Sequence, residues 1–126
     1  MEPQCIRHCE TGDLDEYGFR WACENGRLRI VEYLINLYKN DKNYTKINIH
    51  AKNESGFRWA CFHGHKHIVE YLISLYKINS DYNVINIHAN VEDGFRLACY
   101  NGHLHIVEYL INLGCYMHNY NNIILL

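Results

Sequence analysis

An all-α solenoid of stacked helix–turn–helix units is the fold class this 126-residue chain predicts. Three observations predict it. A 21-residue segment is written three times: GFRWACENGRLRIVEYLINLY from Gly18, GFRWACFHGHKHIVEYLISLY from Gly56 and GFRLACYNGHLHIVEYLINLG from Gly94. The spacing is 38 residues both times, and the first two copies share 15 of 21 positions. Within each copy, apolar residues recur at helical period on both sides of a glycine. A unit of that size cannot bury its own apolar face, so the copies must stack. Stacked arrays present binding surfaces, which moves the functional expectation away from enzymes.

The elements follow in order. CETGDLD at 9–15 resembles ACENGRL at 22–28, with Cys9 matching Cys23 and Gly12 matching Gly26. It reads as the first helix and turn of a degenerate partial repeat over 1–15. In the middle copy Ser55-Gly56 opens a helix, with Ser55 as N-cap; Asp93 takes that place in the third copy. Phe57, Ala60 and Cys61 fall at i, i+3 and i+4 on one face. Gly64 ends the helix as a C′ glycine. A second helix starts near His65 to His67 and carries Ile68, Val69, Leu72, Ile73 and Leu75 as a broad apolar stripe. Two helices joined by so tight a turn form an antiparallel pair. Tyr33, Tyr71 and Tyr109 repeat on these second helices and are expected to pack against the next copy. Trp21, Trp59 and Leu97 are expected to pack half-buried between units.

From turn glycine to loop histidine, Gly26 to His50 and Gly64 to His88 both span 24 residues, but Gly102 to His118 spans 16. The first two copies therefore carry an eight-residue insert, YKNDKNYT at 38–45 and YKINSDYN at 76–83. The expected organisation is repeat 1 over 16–52, repeat 2 over 53–90, repeat 3 over 91–119 and a C-terminal tail over 120–126.

Composition narrows the class. The chain is 48% apolar with a net charge of −2, which excludes disorder and gives no basic footprint for nucleic acid. No apolar run approaches the roughly 18 residues a membrane span needs. MEPQCIRHCETGDLD is not a signal peptide, and NNIILL is too short to anchor. Of the six cysteines, Cys23, Cys61 and Cys99 occupy one position in the three copies, each after an alanine. Equivalent positions in stacked units lie roughly 10 Å apart, too far for a disulfide. Reduced core thiols imply a reducing intracellular compartment.

These features together resemble the ankyrin repeat. Phe57 stands at the Leu of the T-P-L-H-x-A motif, Ala60-Cys61 at its Ala-Ala and Gly64-His65 at its Gly-His turn. Ile68-Val69 and Tyr71-Leu72-Ile73 match V-V-x-L-L-L, and Ile87-His88-Ala89 match V-N-A. The resemblance covers about residues 16 to 119. The family Pro is missing from every copy, and Arg20, Arg58 and Arg96 replace its His. That histidine ties neighbouring loops; here an arginine fork reaches Glu54 or Asp93 instead, or stands in solvent. The finger loop is about three residues shorter than the family's. Without its insert the unit is 30 residues, which looks like the expanded ankyrin families of giant amoeba-infecting DNA viruses. That likeness implies a host protein as partner.

Function is expected in what varies between copies. The pair before the turn glycine is Glu24-Asn25, then Phe62-His63, then Tyr100-Asn101. In ankyrins these positions face the concave groove. With Lys52, Asn53, Glu54, Glu92 and Asp93 on the fingers, they are the candidate partner-binding residues. The expected role is noncatalytic protein binding, with no cofactor, no metal and no catalytic residue. The alternatives are a remnant of a longer array and a protein that self-associates through uncapped ends. Two motifs have metal-ligand chemistry, His63-x-His65-x-His67 and Cys5-x2-His8-Cys9. Neither completes a tetrahedral set, and His65 has its own place as the turn histidine.

Overall fold

The computed structural model describes residues 14–115, 117–119 and 122–124. The partial repeat expected over 1–15, with Cys5, His8 and Cys9, lies almost wholly outside them. Six helices follow in order: α1 Leu14–Glu24, α2 Leu28–Asn40, α3 Ala51–His63, α4 Lys66–Ile78, α5 Ala89–Tyr100 and α6 Leu104–Asn112. They pair as α1–α2, α3–α4 and α5–α6. First helices lie beside first helices and second beside second, giving two helical layers. The tail adds an element no helical pattern foretells. Met117–Asn119 and Asn122–Ile124 pair as a short antiparallel hairpin, with Met117 opposite Ile124. Among the described residues no helix is long and apolar enough to cross a membrane.

One continuous apolar cluster runs through all three pairs. Phe19, Phe57 and Phe95, with Ala22, Ala60 and Ala98, are essentially inaccessible to solvent. The glycine before each phenylalanine is part of the same packing. A Cβ on Gly56 would lie 2.7 Å from the Phe19 ring, and one on Gly94 would lie 2.8 Å from the Phe57 ring. Phe19 and Phe57 are thus each seated on the glycine of the next repeat, which is why Gly-Phe recurs as a unit.

The turns are built the same way. Gly26, Gly64 and Gly102 take positive φ of 73°, 80° and 72°. His65 lies across Gly26 and His103 across Gly64, each ring within 2.7 Å of where a Cβ would stand. His65 Nε2 lies 2.9 Å from the Glu24 carbonyl oxygen and His103 Nε2 lies 2.8 Å from that of Phe62. A carbonyl can only accept, so Nε2 carries the proton in both rings. This stitch joins each turn to the next.

Helix entry departs from the expected cap. Before the right-handed part of α3, Lys52, Asn53 and Glu54 take three successive left-handed conformations, with φ of 56°, 57° and 62°. Asn90, Val91 and Glu92 do the same before α5. Ser55 makes no capping hydrogen bond among the described residues, and the Asp93 carboxylate pairs with arginines instead. Left-handed backbone costs a non-glycine residue roughly 1–2 kcal/mol. The cost is greatest for β-branched Val91, which is exposed and gains no packing there. Val91→Asn is therefore expected to raise stability by about 1 kcal/mol, read as an upward shift of the urea midpoint.

The inserts are not free loops. Their first residues prolong α2 and α4, which have 13 residues against 9 in α6. Tyr82 of the second insert is buried, and its hydroxyl donates to the Ile35 carbonyl at 3.0 Å. The Tyr38 hydroxyl donates to Asp81 Oδ2 at 2.6 Å. The second insert is docked on the first repeat.

Of the tyrosines on the second helices, Tyr71 reaches the preceding repeat, where the next copy was expected. Tyr71 meets Glu32 and Asn36 of the preceding repeat. Tyr33, in the first described pair, is 64% exposed. Trp59 is 40% exposed, more open than its equivalents Trp21 and Leu97, which are partly buried as expected.

Candidate functional site

The row of first helices presents the residues that differ between copies. On α3, Trp59, Phe62 and His63 form one aromatic patch. The Trp59 ring meets Phe62 edge-on with centroids 5.2 Å apart, and it stacks on His63 at 5.8 Å and 21°. Phe62 and His63 meet edge-on at 4.6 Å. His63 Nε2 is 3.5 Å from the Glu24 carboxylate of the previous repeat. On α5, Tyr100 is 71% exposed. A shallow depression between α1 and α3 is lined by Tyr17, Arg20, Trp21, Glu24, Ser55 and Trp59. Aromatic surface this open is unusual for a residue type that packing alone would bury.

Asn25 and Asn101 are exposed but already engaged. Each donates from Nδ2 to the carbonyl four residues back, Trp21 and Leu97 respectively, at 2.8 Å. Each of those carbonyls also accepts from the asparagine's own backbone N–H, at 3.0 and 3.1 Å respectively. Lys52 and Asn53 stand exposed on the left-handed turn. Glu54 and Glu92 do not join them. At 5% and 6% exposure their carboxylates turn inward, which corrects their assignment to the partner-facing fingers. Glu54 accepts from His50 Nδ1 at 2.8 Å and from the Asn86 backbone N–H at 2.8 Å. Glu16 accepts from the Asn48 N–H in the same way at 3.2 Å, and Glu92 pairs with His88. The recurrence of Glu16, Glu54 and Glu92 at the 38-residue period was the available signal. A surface acid would not need to recur.

Asp93 is partly buried and holds Arg58 Nη1 at 2.8 Å. Of the alternatives open for the arginines, Arg58 thus takes Asp93. The same guanidinium donates from Nε to the Asn53 carbonyl at 2.8 Å and from Nη2 to the Lys52 carbonyl at 2.9 Å. Arg96 reaches Asp93 at 3.2 Å. The fork therefore sets the finger turn and ties it to the next repeat.

Cys23, Cys61, Cys99 and Cys115 are free thiols. Burial pushes Cys23 and Cys61 far above the usual thiol range, so neither supplies a thiolate nucleophile. His63, His65 and His67 do not converge: His65 is held by the Glu24 carbonyl, and His63 belongs to the aromatic patch. Among the described residues, one group of three metal-type side chains does converge, His88, Glu92 and Cys115.

Comparison with known proteins returned no matching curated protein and no matching solved structure. A family model, ankyrin repeats in three copies, matches residues 19–124. That match runs from within α1 through the other five helices, the histidine–glycine stitches and the hairpin, so this chain belongs to the ankyrin-repeat family.

Proposed function

We propose that the chain is a noncatalytic protein-binding module whose partner docks on the first-helix row. Ankyrin repeats are generally protein–protein interaction modules, and the family is typically non-catalytic. The observation that carries the reading is the open aromatic patch of Trp59, Phe62 and His63, with Tyr100 on the next repeat. Interface anchors are drawn from such residues, because they desolvate much apolar area for little conformational entropy. Lys52, Asn53 and Asp93 form the polar rim, with Glu24 and Asn25 at the first repeat. Glu54 and Glu92 act behind it as supports. The 30-residue unit beneath the inserts supports a viral source and hence a host protein as partner.

The test compares proteins captured by the untagged wild type and by Trp59→Ala and Tyr100→Ala, each captured protein then being titrated in purified form. Anchors of this kind are expected to cost about 2 kcal/mol or more, roughly thirtyfold in affinity. Variants that fold normally and bind every purified ligand with wild-type affinity would sink the reading.

A second reading, self-association, is favoured by Gly102. Among the described residues nothing lies within 4 Å of its Cβ position, whereas Gly26 and Gly64 each carry a histidine from the next repeat. A second copy would find a ready seat there. A sedimentation coefficient independent of concentration would exclude it.

A further inference from the structure

The three repeats treat one buried carboxylate differently. In the second, Glu54 is shared between His50 and the Asn86 N–H, and the neighbouring loop position is Ile85, buried in the core. The corresponding position in the first loop is Ile47, also buried. In the third, the His–Glu pair is kept, with His88 Nδ1 at 2.5 Å from Glu92 Oε2. The residue in the isoleucine place is now Cys115, 2% exposed. Glu92 Oε1 has no hydrogen-bond partner among the described residues, although Glu92 is 6% exposed. One donor atom from each of His88, Glu92 and Cys115 falls within 4.8 Å of the others.

The geometry points to a single divalent-metal site of the zinc and cobalt(II) class, held by His88, Glu92 and Cys115. Nitrogen, oxygen and sulfur donors together suit these ions. Bond lengths near 2.0–2.3 Å place tetrahedral ligand atoms roughly 3.4 Å apart. That lies between the 2.5 Å of the His–Glu contact and the 4.8 Å span of the group. His88 is half-exposed, while the buried Glu92 and Cys115 define the floor. Three protein ligands leave a fourth position, on the exposed His88 side, for water.

The metal would also give the buried Glu92 Oε1 a partner, since an unpaired buried carboxylate oxygen is costly. On binding, the thiol proton leaves to solvent, a metal–sulfur bond replaces the S–H bond, and the imidazole binds through an unprotonated nitrogen. No oxidant or reductant is needed. The first two repeats have the His–Glu pair or its carboxylate but isoleucine for sulfur, so they serve as internal controls.

The experiment titrates cobalt(II) into the full untagged chain and follows near-ultraviolet thiolate-to-cobalt charge transfer. The expected result is saturation at one equivalent, displacement by one equivalent of zinc, and a metal-dependent rise in melting temperature. Cys115→Ile restores the residue of the other two loops. It is expected to fold with unchanged circular dichroism, lose the sulfur band and bind more weakly by over about 100-fold, beyond what an outer-shell change costs. Should Cys115→Ile misfold, Cys115→Ser is read in its place, with the same loss expected. Three results would overturn the proposal: no sulfur band in the wild type, cobalt bound without one (adventitious binding to surface histidines), or a band undiminished in the Cys115 variant, which would put the sulfur elsewhere.

Discussion

Phe57→Ala is expected to destabilise the array by about 3–5 kcal/mol, enough to leave much of it unfolded at 37 °C. Phe57 is 0% exposed at the centre of the first-helix row. Its ring is the only thing seated on Gly94 at a distance a Cβ could not tolerate, so truncation opens a void between repeats 2 and 3 that neither backbone can readily close. Solenoid repeats are stabilised by their neighbour interfaces, and with three pairs there are two such interfaces. Losing one therefore removes a large share of a total that is small to begin with. Urea unfolding checks this. The same measurement on Trp59→Ala, two residues along the helix, should show a loss of about 1–2 kcal/mol, because that ring is 40% exposed. Equal losses at the two positions would mean that Trp59 is a core residue after all.

That contrast marks where the sequence is legible and where it is not. Phe57, Ala60-Cys61 and the Ile68–Leu75 stripe announce themselves by helical period, and the helices form where the pattern puts them. The family follows from the same residues. The pair before each turn glycine was also readable as surface, since it varies while its neighbours repeat. Trp59 was legible only in part: an aromatic in two of three copies reads as half-buried packing, and its ring also joins the surface patch with Phe62 and His63. Glu54 and Glu92 were misread for the opposite reason. An acid in a short polar loop reads as solvated, whereas Glu54 is buried with two partners, His50 four residues before it and the backbone N–H of Asn86, 32 positions away.

Handedness was the least legible feature. Lys52-Asn53-Glu54 and Asn90-Val91-Glu92 contain no glycine, the usual flag for positive φ. What stabilises the first of these turns lies outside it in sequence, in an arginine of the helix it opens and an aspartate from the following repeat. The same holds for Cys115, which joins His88 and Glu92 only through the fold, with 22 residues between it and Glu92. No local spacing pattern would select that trio.

Arg58→Ala is expected to cost about 2–4 kcal/mol, nearly as much as the core truncation, although no apolar surface is at stake. The guanidinium makes three charge-assisted hydrogen bonds, to the carbonyls of Asn53 and Lys52 and to Asp93, with its side chain 19% and that of Asp93 16% exposed. Removing it leaves the left-handed turn without the bonds that hold it and Asp93 with the single weaker contact from Arg96. Arg58→Lys tests the geometry rather than the charge. An ammonium can meet Asp93 but cannot fork to two carbonyls at once, so it should recover only about 1 kcal/mol. Arg96→Ala is the matched control. Its one 3.2 Å contact and 38% exposure place it with surface pairs, at about 1 kcal/mol or less. Salt separates the two parts of the Arg58 effect, since the Asp93 component weakens with ionic strength while the two carbonyl bonds persist. Amide exchange reports on the turn itself. The Glu54 N–H, bonded to the His50 carbonyl at 3.1 Å, should exchange faster in Arg58→Ala and stay protected in Arg96→Ala. Unchanged Glu54 protection in Arg58→Ala would show that the turn holds without its fork. If the turn does loosen, Lys52 and Asn53 lose their fixed placement, and any partner that uses them as its rim must bind more weakly.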